Sequence, residues 1–144
     1  MSPILRSHFD DYAAFHRTAG NQTCHYIGIP AIVLAILAML AKVPLVTLSG
    51  FLVTGAEALV LAVTLYYLTL DTKLAFSMLA ASALLAALGR WIPFWPGLAL
   101  FVLGWVFQYV GHYTYEKKAP AFYRNFAHLL VGPLWILAKA TGRA

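Results

Sequence analysis

The chain alternates between long apolar segments and short polar connections. The connections are marked by Lys42 with Pro44, by the run Asp71 to Lys73, and by Arg90 with Pro93. The four apolar segments between and around them are 26–41, 50–70, 74–89 and 97–112. Since a helix needs around 20 apolar residues to cross a bilayer, the pattern predicts four transmembrane helices, the shorter ones extended by interfacial residues.

The two ends of the chain are more polar. Residues 1–24 predict a helix outside the membrane, which Ser7 can cap. Residues 113–144 begin with a polar segment and then become apolar over 125–138, a short stretch that contains Pro133. Its length is typical of an interfacial or re-entrant helix, and a fifth crossing is the alternative. The predicted fold class is an all-α, multi-pass transmembrane helical bundle that forms one domain over residues 1–144.

Composition supports a membrane protein. Hydrophobic residues make up 62% of the 144 residues and charged residues 10%, against about 45–50% and about 25% in soluble domains. A water-soluble domain of this size could not bury so much apolar surface, which excludes a soluble enzyme. The net charge is +5, but the basic residues lie singly between apolar segments, so no nucleic-acid partner is expected.

The basic residues predict an orientation. Two of them, Lys42 and Arg90, flank the spans on one side of the predicted membrane. Six flank the other side, and these are Arg6, Arg17, Lys73, Lys117, Lys118 and Arg124. Positive flanks favour the cytoplasm, so both termini are expected there. The membrane would be the inner membrane of a bacterium or the endoplasmic reticulum of a eukaryote.

All five histidines fall at one end of the predicted bundle. They precede or begin the first span, or end or follow the fourth, and are His8, His16, His25, His112 and His128. Neutral imidazole is the commonest metal ligand, so their convergence indicates a metal site. The alternative for any single histidine is a hydrogen bond at the membrane interface.

Polar residues lie where they could orient these imidazoles. Gln108, His112 and Glu116 stand at i, i+4 and i+8, and they share one face if the helix continues. A ligating imidazole usually donates its second nitrogen to a nearby partner. The candidate partners are Tyr12, Asn21, Gln108 and Glu116. The alternative for Glu116 is a solvated charge beside Lys117 or Lys118.

Two other residues are weaker candidates. Glu57 interrupts the second apolar segment, and an acid in mid-membrane is a functional candidate. A protonated, hydrogen-bonded packing residue is the preferred interpretation of Glu57. Cys24, the one cysteine, is expected to be a small buried thiol.

Two motifs together resemble a known family. They are Tyr12-x3-His16-x4-Asn21-x3-His25-x2-Gly28-Ile29-Pro30 and Gln108-x2-Gly111-His112-x3-Glu116-x3-Pro120-Ala121. In these motifs, and in the hydrophobic spacing between them, nearly the whole chain is similar to the Mpo-like family of membrane proteins. The resemblance implies a 2-hydroxy fatty acid dioxygenase of fatty acid α-oxidation.

The resemblance also implies one Fe(2+) held by histidines. By matching positions, the ligands would be His16, His25 and His112. His128, which lies in a more variable segment, is expected as a fourth ligand, and Glu116 as a ligand or a partner of one. The implied reaction converts a long-chain 2-hydroxy fatty acid and O2 to the acid one carbon shorter, CO2 and water, and needs no external reductant. The expected partners are membrane lipid around the bundle and, as an alternative to a monomer, further copies of the chain in a homo-oligomer.

Other functions are open at this point. A small transporter or channel would place polar groups along a path through the membrane, and a structural membrane protein would need no histidine cluster. A membrane zinc hydrolase is the second enzyme alternative, since imidazole suits zinc as well as iron.

Overall fold

The computed structural model describes residues 1–144 as six α-helices and one β-hairpin. In chain order the elements are α1 (Pro3–Ala14), α2 (Ala19–Leu40), β1 (Pro44–Leu48), β2 (Phe51–Thr54), α3 (Gly55–Leu68), α4 (Thr72–Gly89), α5 (Phe94–Val110), a π-helical segment (Gly111–Glu116), a 3-10 turn (Ala121–Tyr123) and α6 (His128–Ala140). The predominance of helix agrees with the sequence prediction, and the hairpin does not.

Three helices are long and apolar enough to cross a membrane. They are α2, α4 and the continuous helix Phe94–Glu116, in which the π-helical segment extends α5. Asp71 begins α4, where its carboxylate accepts a hydrogen bond from the N–H of Leu74 at 3.0 Å. Such capping satisfies one of the free N–H groups of a helix end. These helices make the chain a membrane protein by length and composition.

The second predicted span was wrong in its boundary. Residues Phe51–Thr54 form the second strand of the hairpin, and α3 begins at Gly55 and has 14 residues. The hairpin turns at Ser49 and Gly50, both with positive φ (48° and 84°), as tight hairpin turns require. The fold is therefore helical with a small two-stranded antiparallel sheet, not all-α.

Glu57 consequently lies at one end of the bundle rather than in mid-membrane. It is in the first turn of α3, where its carboxylate accepts a hydrogen bond from the N–H of Thr54 at 2.8 Å. Its other oxygen pairs with the Arg90 guanidinium at 2.8 Å. Glu57 thus completes a capping box with Thr54 at the start of α3, and its ion pair with Arg90 fastens this end of α3 to the end of α4.

At the opposite end, α1 and α6 close the bundle. Ser2 caps α1 by accepting a hydrogen bond from the N–H of Leu5 at 3.2 Å, so Ser7 lies inside the helix and is not its cap. Leu5, Phe9 and Tyr12 of α1 belong to one buried apolar cluster with Leu134 and Trp135 of α6. The N-terminal amine lies 3.3 Å from Asp71, which brings the α3–α4 turn to this same end.

Glycines allow α2 and α5 to pack closely. A Cβ atom added to Gly28 would lie 2.8 Å from the carbonyl oxygen of Gly104, and one added to Gly104 would lie 3.0 Å from that of Gly28. Small residues permit such close approach between membrane helices. The contact brings His25 on α2 and His112 at the end of α5 to the same level of the bundle.

Candidate metal centre

Three buried histidines meet at the end of the bundle that carries α1. His16 lies in the turn between α1 and α2, His25 in the second turn of α2, and His112 in the π-helical segment. Each is 2% exposed, and one ring nitrogen of each lies within 4.8 Å of the others. Nitrogen donors from three different elements therefore converge on one point, as in metal sites.

Two backbone carbonyls fix the ring orientations of His16 and His25. The Nδ1 of His16 lies 2.7 Å from the carbonyl oxygen of Tyr12, and the Nδ1 of His25 lies 2.9 Å from that of Asn21. A carbonyl only accepts, so each Nδ1 must donate its N–H. In neutral rings the proton is then on Nδ1, and both Nε2 atoms carry lone pairs.

These two Nε2 atoms face each other at 3.0 Å. Two lone pairs at that distance repel. The other tautomer does not remove the repulsion, because moving a proton from Nδ1 to Nε2 would leave the lone pair of Nδ1 facing a carbonyl oxygen. A cation held between the rings would satisfy both nitrogens. The donor set and its carbonyl partners fit a metal ion, since ligating imidazoles usually donate their second N–H in this way.

The environment of His16 favours its neutral form. Burial, and secondarily the adjacent imidazole of His25, lower the pKa of His16 to about 3. The ring of Tyr12 stacks on that of His16, with centroids 3.9 Å apart. His16 is therefore uncharged at neutral pH and held in place, and a neutral imidazole is the form that binds metal.

Glu116 supports the α1–α2 turn. Its carboxylate accepts hydrogen bonds from the backbone N–H groups of Arg17 (3.1 Å) and Thr18 (3.0 Å), from the Thr18 hydroxyl (3.0 Å) and from Nδ2 of Asn21 (3.2 Å). It forms no ion pair with Lys117 or Lys118 in this structure. Four donors occupy the carboxylate, which fastens the π-helical segment to the turn that carries His16.

The structure places His128 apart from the cluster. Its Nε2 lies 2.7 Å from Oδ2 of Asp11, and its ring meets that of Tyr12 edge-on at 5.7 Å. His8 is also outside the cluster. Of the other predicted partners, Tyr12 and Asn21 orient His16 and His25 through their backbone carbonyls, and the Asn21 side chain also donates to Glu116. The amide nitrogen of Gln108 is buried and has no hydrogen-bond partner.

A cavity of about 340 Å³ opens from the histidines into the bundle. His16, His25, His112, Gln108 and His128 line its polar end. Beyond them the walls are almost entirely apolar and come from α2, α3, α4, α5 and α6, with Leu37 and Leu59 among the residues farthest from the cluster along α2 and α3. The cavity thus joins a polar, metal-binding geometry to an apolar chamber.

Sequence reasoning did not single out two residues of this region. Asp11, which holds His128, is one of two adjacent acids and had no distinguishing signal beyond its place one residue before Tyr12. Thr18 caps α2 and also binds Glu116. Its position two residues after His16 is a helix-start signal that could have found it.

A membrane-type helical bundle with a buried three-histidine cluster defines a candidate membrane metalloprotein. The chain matches the family described as "2-hydroxy-palmitic acid dioxygenase Mpo1-like" over residues 3–144 and belongs to it. It is also similar to "2-hydroxy-palmitic acid dioxygenase MPO1" of Saccharomyces cerevisiae, with 30% identity over 136 residues that cover 92% of this chain and 77% of the relative. No solved structure matches the chain.

Proposed function

We propose that this protein is a membrane dioxygenase that shortens long-chain 2-hydroxy fatty acids by one carbon. The substrate R–CH(OH)–COOH and O2 give R–COOH, CO2 and water, an equation that balances in atoms and electrons without a further reductant. The family and the yeast relative, whose names state a 2-hydroxy-palmitic acid dioxygenase, support the proposal. The observation that carries it is the pair of facing Nε2 atoms of His16 and His25 beside His112.

The proposed metal is Fe(2+), held by His16, His25 and His112. When bound, it would supply a redox-active ion with coordination positions open to substrate and O2. The backbone carbonyls of Tyr12 and Asn21 keep the donors of His16 and His25 aimed, and Glu116 keeps the His16 turn against the π-helical segment that carries His112. These contacts prepare the site before any ligand arrives, so little reorganisation is needed on binding.

The cavity supports an acyl-chain substrate. Its apolar walls would take the alkyl tail while the polar end holds the carboxyl and hydroxyl groups near the histidines. Filling the chamber with the tail also excludes water from the reacting end. A transporter has less support, because Glu57, the acid placed by sequence within a span, lies at the hairpin end instead.

To test the metal site, we would measure iron per chain and turnover of 2-hydroxypalmitate in His16→Ala, His25→Ala and His112→Ala. Each is expected to lose iron and activity together. His8→Ala is the control, because His8 lies outside the cluster, and it should keep both. Full iron occupancy in all three variants would refute the site.

The reaction itself needs a separate test. Mass spectrometry of an aerobic incubation with 2-hydroxypalmitate should find the C15 acid and matching O2 consumption. Turnover that persists without O2, or a product of unchanged chain length, would rule out the dioxygenase.

We also propose four crossings with both termini cytoplasmic. Besides the three long helices, α3 would also cross the membrane. It is about 21 Å long at 1.5 Å per residue, but it runs between the same two ends of the bundle as α2 and α4. Apolar side chains of the hairpin, such as Leu45 and Phe51, are exposed and can lie in the membrane interface at the hairpin end of the bundle. The α6 helix, with 13 residues, would stay on the cytoplasmic side.

Cysteine labelling tests this topology. In a Cys24→Ala background, Ser2→Cys and Arg143→Cys should both react only with reagent on the cytoplasmic side. Labelling from opposite sides would mean that α6 crosses the membrane. Labelling of both from outside would reverse the orientation.

A further inference from the structure

Besides His112, two buried side chains that line the cavity each carry a polar atom without a hydrogen-bond partner. Gln108 is 5% exposed and His128 is 4% exposed; the Nε2 of Gln108 and the Nδ1 of His128 are both unpaired. Leaving a buried donor or acceptor unsatisfied is unfavourable. Both line the polar end of the cavity, so a bound ligand can satisfy them.

Asp11 determines what His128 can offer to a ligand. Its carboxylate only accepts, so the Nε2 of His128, 2.7 Å away, donates the N–H. In the neutral ring the Nδ1 then carries a lone pair and is a hydrogen-bond acceptor. The edge contacts of His128 with Tyr12 and Phe15, at ring-centroid distances of 5.7 and 6.1 Å, hold the ring in this orientation.

Gln108 offers the complementary group. Its side-chain amide makes no hydrogen bond within the protein, and its NH2 group is a donor. It lies one helical turn before His112, on the face that lines the cavity. A donor and an acceptor therefore flank the histidine cluster, which matches a ligand head that carries both an accepting carboxylate and a donating hydroxyl.

We infer that the Nδ1 of His128 accepts a hydrogen bond from the 2-hydroxyl group of the substrate, and that the amide of Gln108 donates to its carboxylate. This inference rests on the proposed function and names the residues that recognise the substrate head. The apolar chamber cannot distinguish a 2-hydroxy acid from an ordinary fatty acid, since their tails are the same. His128 is the specificity-determining residue, because a site built around a hydroxyl group rejects analogues without it.

The test measures dissociation constants for 2-hydroxypalmitate and for palmitate on the iron-loaded protein without O2. In His128→Phe, which keeps an aromatic ring but has no acceptor, binding of 2-hydroxypalmitate should weaken about 10- to 100-fold while that of palmitate stays the same. In Gln108→Met both acids should bind more weakly, since both carry the carboxylate. Iron per chain should be unchanged in both variants.

Asp11→Asn tests the orientation of His128 through an exposed residue, so folding is not at risk. It should reduce the preference for the 2-hydroxy acid in the same direction but by less than His128→Phe does. The matched controls are Asp10→Asn, at the neighbouring exposed acid, and His8→Phe, which both should keep the wild-type preference.

Three results would overturn the inference. Loss of iron in His128→Phe would make His128 a metal ligand. Normal iron with an unchanged preference in both His128→Phe and Asp11→Asn would remove its role in recognition while leaving the proposed function intact. A wild-type protein that binds both acids equally would also overturn the inference, whereas failure of the proposed function would show as a lack of C15 acid from 2-hydroxypalmitate.

Discussion

At the scale of single residues, the candidate site depends on groups that do not bind metal. Glu116 shows this most clearly, because its carboxylate binds two consecutive backbone N–H groups across a separation of almost one hundred residues. Hydrogen bonds to a charged acceptor contribute about 1.5–3 kcal/mol. Glu116 thereby determines where the turn places His16 relative to His112.

Glu116→Gln should therefore weaken the site without removing a ligand. An amide has one accepting oxygen and an NH2 group in place of the other, so an NH2 group would face donors that the carboxylate now accepts from, such as the backbone N–H of Arg17, and the His16 turn loosens. We expect turnover to fall about 10- to 100-fold, the usual cost of changing a group that orients a ligand, with iron bound more weakly but not lost.

Glu57→Gln is the matched control, since it breaks the ion pair with Arg90 at the other end of the bundle. It should leave iron affinity and turnover as in the wild type. A Glu116→Gln variant with no iron at all would instead indicate that this carboxylate is a ligand.

At the scale of elements, the close packing of α2 on α5 determines the spacing of the histidines. The helices touch through Gly28 and Gly104, where a Cβ at Gly28 would also lie 2.4 Å from the amide nitrogen of Gln108. A side chain at either glycine must push the helices apart. Because His25 and His112 lie on these two helices, their separation would change as well.

We expect Gly28→Ala to destabilise the protein by about 1–3 kcal/mol, as overpacking does, and to lower iron affinity. Thermal unfolding in detergent, together with iron titration, measures both effects. Gly97→Ala is the control, because a Cβ there meets its nearest atom at 3.5 Å, an ordinary contact. Equal stability of the two variants would show that the helices are not held at this glycine contact.

The same elements show what could be predicted from the sequence. The long apolar runs of α2, α4 and α5 predicted these helices. The confinement of histidines to the chain ends predicted a cluster, of which His16, His25 and His112 meet while His128 lies apart. The hairpin was missed because a short apolar run does not distinguish strand from helix. The predicted mid-membrane position of Glu57 was wrong for the same reason. The helix begins at Gly55, later than predicted, so Glu57 lies in its first turn. The pairing of Asp11 with His128 depends on the tertiary contact of α1 with α6, which periodicity does not report.

At the scale of the whole molecule, the cavity connects the histidine end with the interior of the bundle. Its wall on α2 extends from His25 to Leu37, which is about 18 Å at 1.5 Å per residue. An extended alkyl chain with C–C bonds near 1.5 Å advances roughly 1.25 Å per carbon, so about 14 carbons fit along this wall. Leu37 then packs with Ala56 and Ala86 in a separate buried cluster, which limits the depth available to the tail.

The depth of the chamber should therefore set the preferred substrate length. Ser82 lines the wall on α4, and in Ser82→Phe an aromatic ring, which packs at about 5 Å from its neighbours, would occupy space used by the end of the tail. We expect the best substrate to become shorter by roughly four carbons, with iron content unchanged, when a series of 2-hydroxy acids is compared by kcat/KM. Ser77→Phe is the control, because Ser77 is exposed on the same helix, and it should keep the wild-type optimum. An unchanged optimum in Ser82→Phe would mean that the tail does not enter this chamber and leaves the histidine end along another path.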